Sequence, residues 1–218
     1  ELDVEWEQLP LTLGWMARRR HHLEHCPALA RRHRVDDLAD DLWGDGAWLA
    51  GEEWKLQAFR DFDAGIGADL YKLSYAKAFR ILVEEVTKAM RDVGKVMELM
   101  LQYQGRIGAF VTGAAGYDMD LDELAEAAWD ALPGHILHDA MKFLEWTQKE
   151  GRPTFGLSDK AFMTCDSLTR LWRAAQPAIS SLWPALEEAA KQAIENPGNT
   201  FECRRFKVRR DGAWLRVQ

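Results

Sequence analysis

The sequence predicts a mainly α fold, a helical body closed by a C-terminal β-hairpin. Three observations carry this. Apolar residues recur at three- and four-residue spacing over most of the chain, Gly and Pro cluster between those stretches, and the period changes to two only near the C-terminus.

In chain order, the helical spacing covers 52–62, 69–79, 83–103, 121–131, 135–150, 158–175 and 178–194. Breaks fall at Ala64-Gly65-Ile66-Gly67, Leu132-Pro133-Gly134, Gly151-Arg152-Pro153 and Asn196-Pro197-Gly198-Asn199, where the residue types favour turns. After these, Phe206 and Val208 alternate up to Asp211-Gly212, and Leu215 and Val217 alternate beyond it, which is a hairpin signal. Lys207 and Arg209 then fall on the face opposite Phe206 and Val208, making a basic ribbon.

The chain has 218 residues, 47% of them hydrophobic and 29% charged, an ordinary globular composition for one domain or two small ones. Its apolar runs fall far short of the roughly 20 residues that span a bilayer, and no basic-then-apolar leader opens it. Three widely spaced cysteines (Cys26, Cys165 and Cys203) fit reduced thiols better than a disulfide framework. A cytoplasmic protein with no membrane partner is the expectation. The net charge of −7 argues against a protein that coats nucleic acid indiscriminately. Charge is nevertheless segregated, with an acidic run over 118–130 and a basic end holding Arg204, Arg205, Lys207, Arg209, Arg210 and Arg216.

The segment 90–105 carries the most chemistry. Arg91, Lys95, Leu99 and Tyr103 recur every four positions, and at about 100° per residue they form one stripe roughly 18 Å long. A triphosphate needs a planar fork for its distal oxygens and a point charge near the phosphorus under attack, roles suited to Arg and Lys. On the bland reading Lys95 pairs with Glu98 or faces solvent, and Tyr103 is a core residue.

With its flanks, this segment resembles the O-helix motif of the family A (DNA polymerase I-like) DNA polymerases, in their phage or prophage branch. Arg91, Lys95 and Tyr103 match Arg-x3-Lys-x3-aromatic-x3-Tyr-Gly, while Leu99 stands at the nucleotide-stacking aromatic and Gln104 at the Gly. Residues 47–61 look like the stretch after the family's first palm motif, and Gly67-Ala68-Asp69-Leu70-Tyr71 puts Tyr71 at the His of an Asp-Ile-His-like turn. Residues 152–155 through Leu171-Trp172-Arg173, and the hairpin, also look like this branch. The resemblance therefore covers 47–218 as fingers and partial palm, leaving 1–46 as an unassigned basic, His-rich segment.

The resemblance implies a template-directed polymerase that binds a primer-template DNA and a dNTP. Arg91, Lys95, Leu99, Tyr103 and Tyr71 would line the nucleotide, and Lys95 would give a proton to the departing pyrophosphate. It also implies Mg²⁺ held by palm carboxylates, with Asp37 at the first motif as catalytic metal ligand, although Leu42 stands where the steric-gate Glu belongs. An acidic, solvated turn is the competing reading of Asp37. The second metal motif is expected after Gln218, so the chain is expected to be inactive alone. A non-catalytic helical nucleic-acid-binding protein, or a decayed polymerase remnant, is the alternative.

Other constellations are weaker. His21, His22, His25, Cys26 and His33 fit no closed zinc spacing, and a basic arm suits them better. Asp118-x-Asp120-x-Asp122 lacks the Gly and Glu of a calcium loop, so a solvated helix N-terminus is expected. The ten tryptophans read mainly as packing residues. Arg204, Arg205, Lys207, Arg209 and Arg210 favour contact with nucleic-acid phosphate over mere solubility.

Overall fold

Several helices among the described residues start where a short polar side chain takes up an orphan backbone N–H. The computed structural model describes residues 46–218, and there Asp69 accepts from Lys72 N at 3.0 Å, Thr87 from Met90 N at 3.3 Å and Ser158 from Ala161 N at 3.2 Å. Asp120 caps both Asp122 N and Glu123 N, so the acidic run does form a helix N-terminus.

After a helical stretch at 46–50, the helices are α1 (Glu53–Asp63), α2 (Leu70–Phe79), α3 (Lys88–Leu101), α4 (Ile107–Gly116) and α5 (Leu121–Ala128). They continue with α6 (Gly134–Lys149), α7 (Asp159–Ala175) and α8 (Pro177–Glu195). Three antiparallel strands follow, β1 (Thr200–Cys203), β2 (Phe206–Asp211) and β3 (Trp214–Val217), in the order β1-β2-β3. The mainly α class holds, and the C-terminal hairpin is β2–β3. None of the helices among the described residues is long and apolar enough to cross a membrane.

Helix α7 is the spine of the core. Phe162, Cys165, Leu168 and Trp172 are buried along it, and α2, α3, α4, α5 and α6 all pack against it. Burial, more than neighbouring Asp166 and Asp122, pushes the Cys165 thiol up to about 12. Helix α8 begins on Pro177 and has no cap of its own; the buried Glu52 carboxylate instead accepts from Ala178 N at 2.8 Å and Ile179 N at 3.1 Å.

Four expectations change. The predicted helix over 83–103 is a 3₁₀ turn at Val83–Glu85 followed by α3, which stops at Leu101. The chain reverses there because Gln104 adopts φ 62° and Gly105 lies so close to the Met100 carbonyl that a Cβ would sit 1.8 Å from it. The helix expected over 121–131 ends at Ala128 and tightens into a 3₁₀ turn at Trp129–Ala131. Helix α4 was not anticipated, since its glycines dilute the periodic signal; Gly113 is needed because a Cβ would meet the Met100 side chain at 2.4 Å. Strand β1 was also missed, and it pairs with β2 through Phe201↔Val208.

Candidate functional site

The face of α3 that carries Arg91 and Lys95 is shaped by a glycine on the same helix. A Cβ on Gly94 would lie 2.3 Å from the Tyr71 carbonyl oxygen, so only Gly lets α2 cross α3 this closely. That crossing lays the Tyr71 ring beside both cations, 5.0 Å from the Arg91 guanidinium carbon and 5.8 Å from Lys95 Nζ. A second ring, Tyr117 at the C-cap of α4, stands 4.6 Å from Lys95 Nζ.

Asp69 completes the group. One of its oxygens caps α2, and the other takes Arg91 Nε at 2.5 Å. Arg91 Nη1 lies 3.6 Å from Asp92, and the guanidinium side chain stays one-third exposed. Lys95 is part-buried between its two tyrosines and forms no ion pair with any described carboxylate. The result is two cations one turn apart, oriented by tyrosine faces and by the carboxylates of Asp69 and Asp92 on Arg91, with donors left for an anion. Such a pair can grip a polyphosphate.

Of the residues expected to line the nucleotide, the structure brings together Arg91 and Lys95 of the stripe with Tyr71 from α2, and Leu99 is part-buried further along α3. Tyr103 departs from it. It lies in the turn beyond the helix, with its ring 5.9 Å from that of Trp183 on α8. Lys95 does not pair with Glu98, because Glu98 points the other way, into the core. Asp37 and the His21–His33 cluster lie outside the described residues. Among the described residues no group of three or more His, Cys, Asp or Glu side chains converges.

The basic residues of the C-terminal sheet are spread over several partners. Arg204 donates to the Ala50 carbonyl at 2.7 Å and to Ser181 Oγ at 2.8 Å, while Arg205 lies over Trp48. Arg210 reaches the Ile194 carbonyl at 2.9 Å. Lys207, Arg209 and Arg216 share one face with acidic neighbours, Lys207 with Glu202 and both arginines with Asp211.

Sequence reasoning missed two things. Asp69 and Tyr117 belong to the cationic site, and only Asp69 left a trace, as the Asp of the Asp-Ile-His-like turn that carries Tyr71. The second omission is a polar cluster in the core: Glu98, fully buried, accepts from Lys55, Gln176, Ser74 at 2.5 Å and Trp172 Nε1 at 3.0 Å. Lys55 also donates to Gln102 at 3.1 Å and Gln176 at 3.2 Å. A Glu at a position where α3 should be apolar was its one visible sign.

No protein-family model and no solved structure matches the chain. The chain is 42% identical over 133 residues to a protein of Bacillus phage SP02 named DNA polymerase, an alignment covering 59% of this chain. The chain spans 19% of that relative's length. By sequence, therefore, this chain is similar to part of a phage DNA polymerase.

Proposed function

We propose that this chain is the fingers and adjoining palm of a family A template-directed DNA polymerase, and that the Arg91–Lys95 face of α3 binds the triphosphate of the incoming dNTP. The observation that carries it is the pair of cations one turn apart, held beside Tyr71 and Tyr117 with no carboxylate on Lys95 among the described residues. The similarity to a phage DNA polymerase supports the same reading.

Arg91 gives its Nε to Asp69, which fixes the plane of the guanidinium and leaves Nη2 for the distal phosphate oxygens, with Nη1 3.6 Å from Asp92. Lys95, with its ammonium less hydrated between two rings, neutralises charge building on the phosphate under attack and passes a proton to the departing pyrophosphate. Asp37 is the proposed first-motif carboxylate for Mg²⁺, and primer-template DNA is the proposed macromolecular partner.

Calorimetric titration of the 218-residue chain with dTTP tests this. Arg91→Ala and Lys95→Ala should each weaken binding about tenfold or more, the loss of one charge-assisted contact, while primer-template affinity stays constant. Equal loss of nucleotide and DNA binding would refute the assignment. Primer extension with Mg²⁺ separates the readings further, since nucleotide binding without incorporation would favour a non-catalytic remnant.

A further inference from the structure

The C-terminal sheet ends in a strand with one side open. Among the described residues β3 pairs with β2 alone, in the register Val208↔Val217, Arg209↔Arg216, Arg210↔Leu215 and Asp211↔Trp214. Lys207 and Gln218 exchange both backbone hydrogen bonds, at 2.8 and 3.0 Å. Hydrogen-bonded and non-hydrogen-bonded pairs alternate in an antiparallel ladder, so Trp214 and Arg216 also turn their backbone groups towards β2. The N–H and C=O of Leu215 and Val217 therefore point away from the sheet, along its open edge.

That edge is apolar and carries little that would turn a further strand away. Sheet edges are commonly blunted by Pro, bulges or several charges, whereas β3 is regular and has Arg216 as its one charge. Leu215 and Val217 share the face of Val208, which is buried where the sheet packs on α8, yet both remain exposed. The end of α8 meets the sheet close by. Arg210, opposite Leu215, donates to the Ile194 carbonyl at 2.9 Å, and the Ile194 side chain is exposed as well. On the outer face Trp214 is 74% exposed, more than any other aromatic residue among the described ones. Arg216 lies on the same face; its Nε is 3.3 Å from Asp211 and its side chain stays mostly exposed.

From this we infer that β3 pairs antiparallel with the β3 of a second copy of the chain, about a two-fold axis at Leu215. The side chains select both the occupant and the register. With the axis at Leu215, the outward backbone groups of the two Leu215 residues bond to each other, and Trp214 of each copy stands opposite Arg216 of the other. Such a non-hydrogen-bonded pair brings its side chains closest, so two guanidiniums meet two indole rings in one closed, symmetric contact. An axis at Arg216 would set Arg opposite Arg. An axis at Val217 would set Arg216 opposite Gln218 and leave the tryptophans out. The interface is small, so the dimer should be weak, with a Kd of roughly 10–100 μM. It uses no residue of the Arg91–Lys95 face.

Sedimentation velocity of the 218-residue chain across the micromolar range tests this, and a monomer–dimer equilibrium is expected. Trp214→Arg sets Arg opposite Arg twice and should raise Kd about tenfold or more. The double variant Trp214→Arg/Arg216→Trp restores the pairing with the roles exchanged and should recover most of the affinity. Leu215→Pro should abolish the dimer, because it removes an N–H that faces outward and bonds to nothing in β2. Hydrogen exchange at the Leu215 amide should slow as concentration rises. The proposal is overturned if the chain stays monomeric, or if Trp214→Arg, melting as the parent does, dimerises equally well. It is also overturned if the exchanged pair fails to recover the dimer. Protection of the Leu215 amide that is the same at every concentration would overturn it too, since the edge would then be covered within one chain.

Discussion

Lys95 and Glu98 lie three residues apart on α3 and meet opposite surroundings. Glu98 is fully buried and accepts from Lys55, Ser74, Trp172 and Gln176, residues drawn from α1, α2, α7 and the α7–α8 junction. Lys95 is part-buried beside two tyrosine rings and forms no ion pair among the described residues. A charge taken out of water is tolerated only when its partners are complete, whereas a charge at the surface can keep its donors for a ligand. The buried side holds the helix still, so that the open side presents two cations at a fixed spacing.

The same contrast runs along α2. Tyr71 lies beside Arg91 and Lys95, while Tyr75, one turn on, is buried against Gly94 and stacks on Phe79 at 4.3 Å. The sharpest way to break the comparison is to damage the buried side. Glu98→Ala leaves the buried Lys55 ammonium without its carboxylate, with only the Gln102 and Gln176 side-chain oxygens to accept from it, and takes an acceptor from three neutral donors, which should cost about 3–5 kcal/mol in urea unfolding. Lys55→Met should cost a similar amount. Because the two groups share one interaction, the double variant Lys55→Met/Glu98→Ala should lose clearly less than the sum of the single losses. Additive losses would mean that the pair is not coupled and that α3 is held by apolar packing.

A smaller effect should appear in alkali. Burial pushes the Tyr75 hydroxyl up to about 12 from 10.0 and the Cys165 thiol up to about 12 from 9.0. Both groups stay neutral in the fold while the unfolded chain ionises, so their contribution is complete below pH 9 and is lost as pH rises from 9 towards 12. By pH 10 Cys165 alone accounts for about 1.4 kcal/mol, one pKa unit. Cys165→Ser should flatten the fall in stability between pH 9 and 10; an unchanged slope would place the alkaline sensitivity elsewhere.

How much of this was legible in the sequence depends on how local its cause is. Helix caps and the hairpin turn act over a few residues, so the positions of α1, α2, α6, α7, α8 and the β2–β3 turn could be read directly. Arg91 and Lys95 could be read because a four-residue spacing fixes a shared face. The end of α3 could not, because it depends on Gly105 meeting Met100. Helix α4 escaped for a related reason: its glycines serve close packing against Met100 and Phe155, which is information from elsewhere in the chain. Tyr117 and the partners of Glu98 could not be read because each contact joins residues more than twenty positions apart.

Tyr117 allows the finest test of the open side. Its ring stands 4.6 Å from Lys95 Nζ and is 44% exposed, so it contributes little to the core and restricts where the ammonium points. A cation over an exposed ring is worth about 0.5–1 kcal/mol. If that restriction prepares Lys95 for a triphosphate, Tyr117→Ala should weaken dTTP binding about threefold through lost preorganisation, with the melting temperature nearly unchanged. Tyr117→Phe keeps the ring face and should bind as the parent does. A gain in affinity on Tyr117→Ala would mean that the ring competes with phosphate for the ammonium, and that the open side of α3 is held closed in the absence of ligand.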